Sequence, residues 1–158
     1  MDSARRAFVQ RAGNAGMIAL LVTSGFLKPR SAQATATLWN KPAFDATTLE
    51  QALGQIVDGP VVKSTKVEII APAIAENGAV VPVGVVASMP DVESVAILCE
   101  KNPHPLAAIF EIPEGTVPEV KTRVKMAGSA NVVALARAGG GFYIASTEIK
   151  VTRGGCGG

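Results

Sequence analysis

Residues 118–126 read P-E-V-K-T-R-V-K-M, and the alternation in this stretch decides the fold class. Successive side chains of an extended chain point to opposite faces. Val120, Thr122, Val124 and Met126 therefore share one face, and Glu119, Lys121, Arg123 and Lys125 the other. One face suits an apolar core and the other suits water, as in an antiparallel sheet with one solvated side.

Working outward, further strands are predicted over Lys66–Ala71, Ala79–Ser88, Ser94–Glu100, Leu106–Ile112, Asn131–Arg137 and Gly141–Thr152, each a short β-branched or alternating run. Asn77-Gly78 and Gly139-Gly140-Gly141 supply turn residues between them. Seven short strands at this spacing predict a mainly β fold, an antiparallel sandwich. In the last strand, a core face containing Tyr143 sends Phe142 and Ile144 outward, and this apolar pair is the predicted partner surface. Ahead of the strands, Thr47 and Glu50 stand at capping-box spacing, Leu49, Leu53 and Ile56 recur at helical spacing, and Gly59-Pro60 ends the element. One short amphipathic helix is expected. A chain of 158 residues with 48% hydrophobic content is long enough for one domain with a core and too short for two.

Residues 1–34 do not read as part of that domain. Arg5, Arg6 and Arg11 precede an apolar run from Ala15 to Leu27, and Ala32 and Ala34 offer a small-x-small cleavage site. Thirteen mostly apolar residues are short for a membrane span, which needs about 20; an export signal is expected, with no membrane anchor after processing. Arg5-Arg6-Ala7-Phe8 resembles the R-R-x-F pattern of twin-arginine signals, and Lys28 and Arg30 before the cleavage site fit that resemblance. The twin-arginine route carries folded cargo and so permits export together with a folded partner. Five of the fifteen basic residues and one of the thirteen acids lie in this segment, so cleavage leaves ten against twelve. No basic patch with interleaved aromatics remains, which argues against nucleic acid as a partner.

Motifs for an autonomous active site are absent. His104, the single histidine, sits between Pro103 and Pro105 and reads as a loop residue, and H-x-x-x-H, C-x-x-C and G-x-x-x-x-G-K do not occur. Two cysteines remain. Cys99 falls in phase with Val95 and Ile97, so it is expected to face the core as a small hydrophobe. Cys156 lies in the closing R-G-G-C-G-G, where Gly154, Gly155, Gly157 and Gly158 cannot pack a core and leave the backbone freer than other residues would. Residues 153–158 are therefore expected to form a flexible arm beyond a domain of residues 35–152. Extended, the chain from Thr152 to Cys156 reaches about 13 Å, enough to bring the thiol into another protein's active-site channel. A disulfide between Cys99 and Cys156 in a purely structural exported sandwich is the alternative reading.

The G-G-C-G-G motif, the I-K-V-T-R strand end before it (Ile149–Arg153), E-K-N-P (Glu100–Pro103) followed by P-L-A-A-I-F, the T-R-V-K-M strand and the twin-arginine signal resemble the SoxY family, the sulfur-carrier subunits of SoxYZ complexes in bacterial thiosulfate oxidation. These features span most of the mature chain. The resemblance implies an immunoglobulin-like sandwich, a periplasmic location, a heterodimer with a SoxZ-like subunit, and Cys156 as the covalent attachment site for thiosulfate-derived sulfur. It further implies that a c-type cytochrome couples thiosulfate to the thiol, a hydrolase releases sulfate, and a sulfane dehydrogenase oxidises the sulfur that stays attached. The carrier itself would have no catalytic residue, no metal and no haem. A ubiquitin-like carrier activated at a Gly-Gly carboxylate is a further alternative, opposed by export away from cytoplasmic ATP and by the Cys156 interruption.

Overall fold

The computed structural model describes residues 40–152, so the predicted signal segment and the predicted arm lie outside the described residues. The first elements among the described residues are two short helices, α1 (Lys41–Asp45) and α2 (Leu49–Ile56). Asn40 caps α1: its Oδ1 accepts from the Ala43 amide at 3.2 Å, and its Nδ2 donates to the Gln55 carbonyl at 2.9 Å, tying the two helices together. The cap of α2 is Thr48, one residue later than expected. Its hydroxyl accepts from the Gln51 amide at 3.2 Å, while the Gln51 Oε1 accepts from the Thr47 amide at 3.3 Å. Two adjacent threonines offer two cap positions; with Thr48 as the cap, the Gln51 side chain reaches back past it to the residue before, the Thr47 amide, rather than closing the reciprocal pair expected of Thr47 and Glu50.

Nine strands follow: β1 (Val61–Lys63), β2 (Val67–Ile70), β3 (Ile74–Ala75), β4 (Val81–Ala87), β5 (Val92–Cys99), β6 (Leu106–Glu111), β7 (Glu119–Val124), β8 (Ala130–Ala138) and β9 (Gly141–Val151). The larger sheet runs β1-β9-β8-β5-β6, with β3 also paired to β9, and the smaller runs β2-β4-β7. Seven strands correspond to the predicted ones. The short β1 and β3 were not expected, and both pair with β9 in parallel, where an antiparallel sandwich alone was expected. They are too brief to show a period of their own. Gly139 and Gly140 make the two-residue β8–β9 turn with φ of 54° and 73°, the left-handed region that suits a right-twisted hairpin.

Val67 from β2, Val81, Val83 and Val85 from β4 and Val124 from β7 meet Val95, Ile97 and Cys99 from β5 and Val132, Ala134 and Ile149 from β8 and β9. Two sheets facing each other across this core form the immunoglobulin-like sandwich. A second apolar cluster lies on the other face of the larger sheet, where Ala96, Leu98, Leu106, Val133, Leu135 and Phe142 pack with Ala43, Ala46 and Ala52 of the helical segment. The helices thus form a third layer.

That layer corrects the reading of Phe142. It does lie opposite Tyr143 on β9, but the face it occupies is covered by the chain's own helices, and Phe142 is 3% exposed. Two largely apolar faces on one strand mean burial on both sides. Ile144, half-buried, packs against the same cluster and borders an open cleft of about 660 Å³ together with Leu49, Lys63 and Ser146. Phe142 offers no surface to a partner subunit.

Candidate functional site

Strand β9 runs from the glycine turn to the last described residues, and its far end is held on two sides. The Lys150 amide donates to the Ala73 carbonyl at 2.9 Å, and Ile74 and Ala75 pair in parallel with Lys150 and Val151. The Thr152 amide then donates to the Ala75 carbonyl at 3.0 Å, and the Thr152 hydroxyl donates to the Glu76 carbonyl at 2.9 Å. On the β8 side, the Ser129 hydroxyl accepts from the Val151 amide at 2.9 Å. The backbone is therefore anchored as far as Thr152, four residues before Cys156.

The anchor depends on residues that the sequence does not mark. Ala73-Ile74-Ala75 has neither the length nor the alternation of a predicted strand; its ladder exists because β9 extends far enough to receive it. Ser129 sits in a turn where serine is common for local reasons. The Asn77 side chain shapes the adjoining turn by accepting from the Ala79 amide at 2.8 Å.

The other thiol is in a different environment. Cys99 is fully buried among the inward-facing residues of both sheets, its amide donates to the Pro105 carbonyl at 2.8 Å, and it is a free cysteine. Burial pushes its thiol up to about 11, so it stays protonated and a poor nucleophile at neutral pH. A free, buried Cys99 leaves the Cys99–Cys156 bridge without support. His104 lies in the β5–β6 loop, with Nδ1 3.3 Å from the Ala46 carbonyl, a tie between that loop and the helical layer. Among the described residues, no group of three or more His, Cys, Asp or Glu is placed to hold a metal ion, and no helix is long and apolar enough to cross a membrane.

Of the residues expected at the site, Cys156 and Gly154, Gly155, Gly157 and Gly158 lie outside the described residues, as do Arg5, Arg6 and Phe8 of the expected signal. What the fold positions is the root from which residues 153–158 continue.

The sequence matches the family model of SoxY, described as sulfur oxidation protein SoxY, over residues 52–156, a span that ends on Cys156. Among solved structures, the chain is similar to the sulfur carrier protein SoxY from Chlorobium limicola f thiosulfatophilum, with 39% identity and a TM-score of 0.59 over 65% of this chain and 94% of that one. A chain from a study of T cell activation by the bacterial superantigen toxic shock syndrome toxin-1 matches at 16% identity and a TM-score of 0.37, over 54% of this chain and 98% of that one, too slight a likeness to carry weight. No curated protein matches.

Proposed function

The chain belongs to the SoxY family of sulfur-oxidation carriers, and from that premise we propose that it holds thiosulfate-derived sulfur covalently on Cys156 in the periplasm and presents it to successive enzymes. The observation that carries this reading is the family match running through to Cys156, beyond a strand end anchored at Thr152.

The chemistry follows from the thiol. An unperturbed cysteine has a pKa of about 8.5, so a useful thiolate fraction exists near neutrality without a local base. Coupling thiosulfate to Cys156 forms an S–S bond, releases the thiol proton and gives up a pair of electrons, which a c-type cytochrome accepts. Water then cleaves the S–S bond to the sulfonate group in a hydrolase, releasing sulfate and leaving a persulfide. A sulfane dehydrogenase oxidises that outer sulfur to a sulfonate while it remains attached, the oxygens coming from water and the electrons and protons leaving, the electrons to an acceptor cytochrome; a second hydrolysis then releases sulfate and returns the thiol. The carrier supplies the covalent handle and the reach; catalytic groups belong to the visiting enzymes. Glycines on both sides of Cys156 keep its approach to a narrow channel unobstructed by side chains.

In this reading the mature protein pairs with a SoxZ-like subunit, and a twin-arginine signal over residues 1–34 exports the folded pair. Phe142 is excluded from the interface by its burial, so the pair must form elsewhere on the surface.

The decisive experiment is Cys156→Ser in a reconstituted system. Thiosulfate-dependent electron transfer is expected to vanish while the fold and partner binding persist, because a hydroxyl near neutral pH is a far weaker nucleophile and cannot form the S–S bond. Retained activity would end the carrier proposal.

A further inference from the structure

The segment from Ile70 to Val80 leaves the smaller sheet at β2, pairs with the end of β9 through Ile74 and Ala75, and returns to the smaller sheet at β4. It is the part of the body bonded to the last anchored residue, since Thr152 donates to Ala75 and Glu76. It is also where exposed aliphatic side chains concentrate: Ile70, Ile74 and Val80 are 49%, 61% and 53% exposed. The other exposed large hydrophobics among the described residues are Val61 and Val62 on β1 and Val117 in the β6–β7 loop.

These exposed side chains do not serve the fold. Ala75 and Val81 within and beside the segment already point into the core, and the backbone ladder to β9 does not require Ile at position 74. A single exposed aliphatic residue needs no explanation; three on the segment that clasps the arm's root do.

We infer that the Ile70–Val80 segment is a docking collar, on which an enzyme with a recessed active site seats an apolar channel rim while Cys156 occupies the channel. The inference rests on Cys156 being the carrier thiol. Its geometric basis is the reach: four residues beyond Thr152 span about 13 Å at most, so a protein whose buried reactive group meets Cys156 must bring its surface down around the arm's root. The part of the body bonded to that root is this segment. The collar is small, well below the area of a stable complex, which is at least about 1,200 Å². Such an interface favours rapid release, as required of a carrier that must pass from one enzyme to the next.

The test uses the mature protein with its partner subunit, carrying Ile74→Lys or, as an independent probe of the collar, Val80→Lys. Turnover by an enzyme that accepts the carrier is measured against carrier concentration, alongside alkylation of Cys156 by a small maleimide and recovery of the partner subunit. Expected is a KM raised roughly five- to tenfold, the effect of losing the burial of about half an aliphatic side chain, with kcat, alkylation rate and partner recovery unchanged. An unchanged KM in both variants overturns the collar while leaving the carrier reading intact. Loss of the partner subunit from a folded variant also overturns it, since the face would then be the subunit interface. Activity retained by Cys156→Ser fails the carrier reading itself, whatever the collar variants do.

Discussion

The Thr152 hydroxyl donates to the Glu76 carbonyl at 2.9 Å across 76 positions of sequence, beside the Thr152 amide bond to Ala75, so the last anchored residue is gripped through both side chain and backbone. Thr152→Val keeps the shape and the amide bond but removes the hydroxyl. The bond is exposed, and the loss is expected at no more than about 1 kcal/mol, a fall in Tm of about 3–6 °C. Hydrogen exchange should show faster exchange of the amide at position 152, with the core amides of β8 unchanged. Thr152→Ser should restore the wild-type rate.

Cys99 makes stability fall at high pH. Its thiol is pushed up to about 11 in the fold, whereas in the unfolded chain it titrates near about 8.5. The unfolded form therefore loses its proton first as pH rises. The contribution of the protonated buried thiol is fully present below the unfolded pKa, declines through the window between the two values and is gone once pH passes the folded one. The total is on the order of 3 kcal/mol. Denaturant unfolding at pH 8 and pH 11 should show a larger loss in the wild type than in Cys99→Ala. At neutral pH, a thiol reagent should find Cys156 rapidly and Cys99 only after denaturation.

Burial of Phe142 under the helices predicts a core response to its truncation. Phe142→Ala should cost about 3–5 kcal/mol, a large share of the 5–15 kcal/mol typical of a domain. Partner binding, normalised to the folded fraction, should be unaffected. A folded Phe142→Ala domain of wild-type stability that no longer binds its partner would restore the surface reading.

Gly155→Val and Gly157→Val test the proposal that Cys156 enters a narrow channel of another protein. Branched side chains stiffen and thicken the chain on either side of the thiol. Turnover should fall on the order of ten- to a hundredfold, as when a reacting atom is misplaced, while alkylation by a small reagent stays close to wild type. Wild-type turnover would mean that the thiol is processed in the open.

Local patterns were legible from the sequence wherever the chain's own period sets the outcome. The alternation in β7 places Val120 and Val124 inward and Lys121 and Arg123 outward, and the phase of β5 places Cys99 with Val95 and Ile97 in the core. The Gly139-Gly140 turn was legible because a tight hairpin needs positive φ at both positions. The family, too, was readable, since the residues resembling SoxY lie within and around the matched span. Tertiary structure alone decided what covers each face and each edge. Phe142 is equally apolar whether it meets solvent, a partner or α1 and α2, and only the folded helical layer distinguishes these. Val61–Lys63 and Ile74–Ala75 become strands because β9, some 80 residues away in one pairing and 76 in the other, presents an open edge to them. A period along the chain reports which way a side chain points; the group it meets is set by contacts whose partners are distant in sequence, and at the end of β9 those contacts hold Thr152 in place.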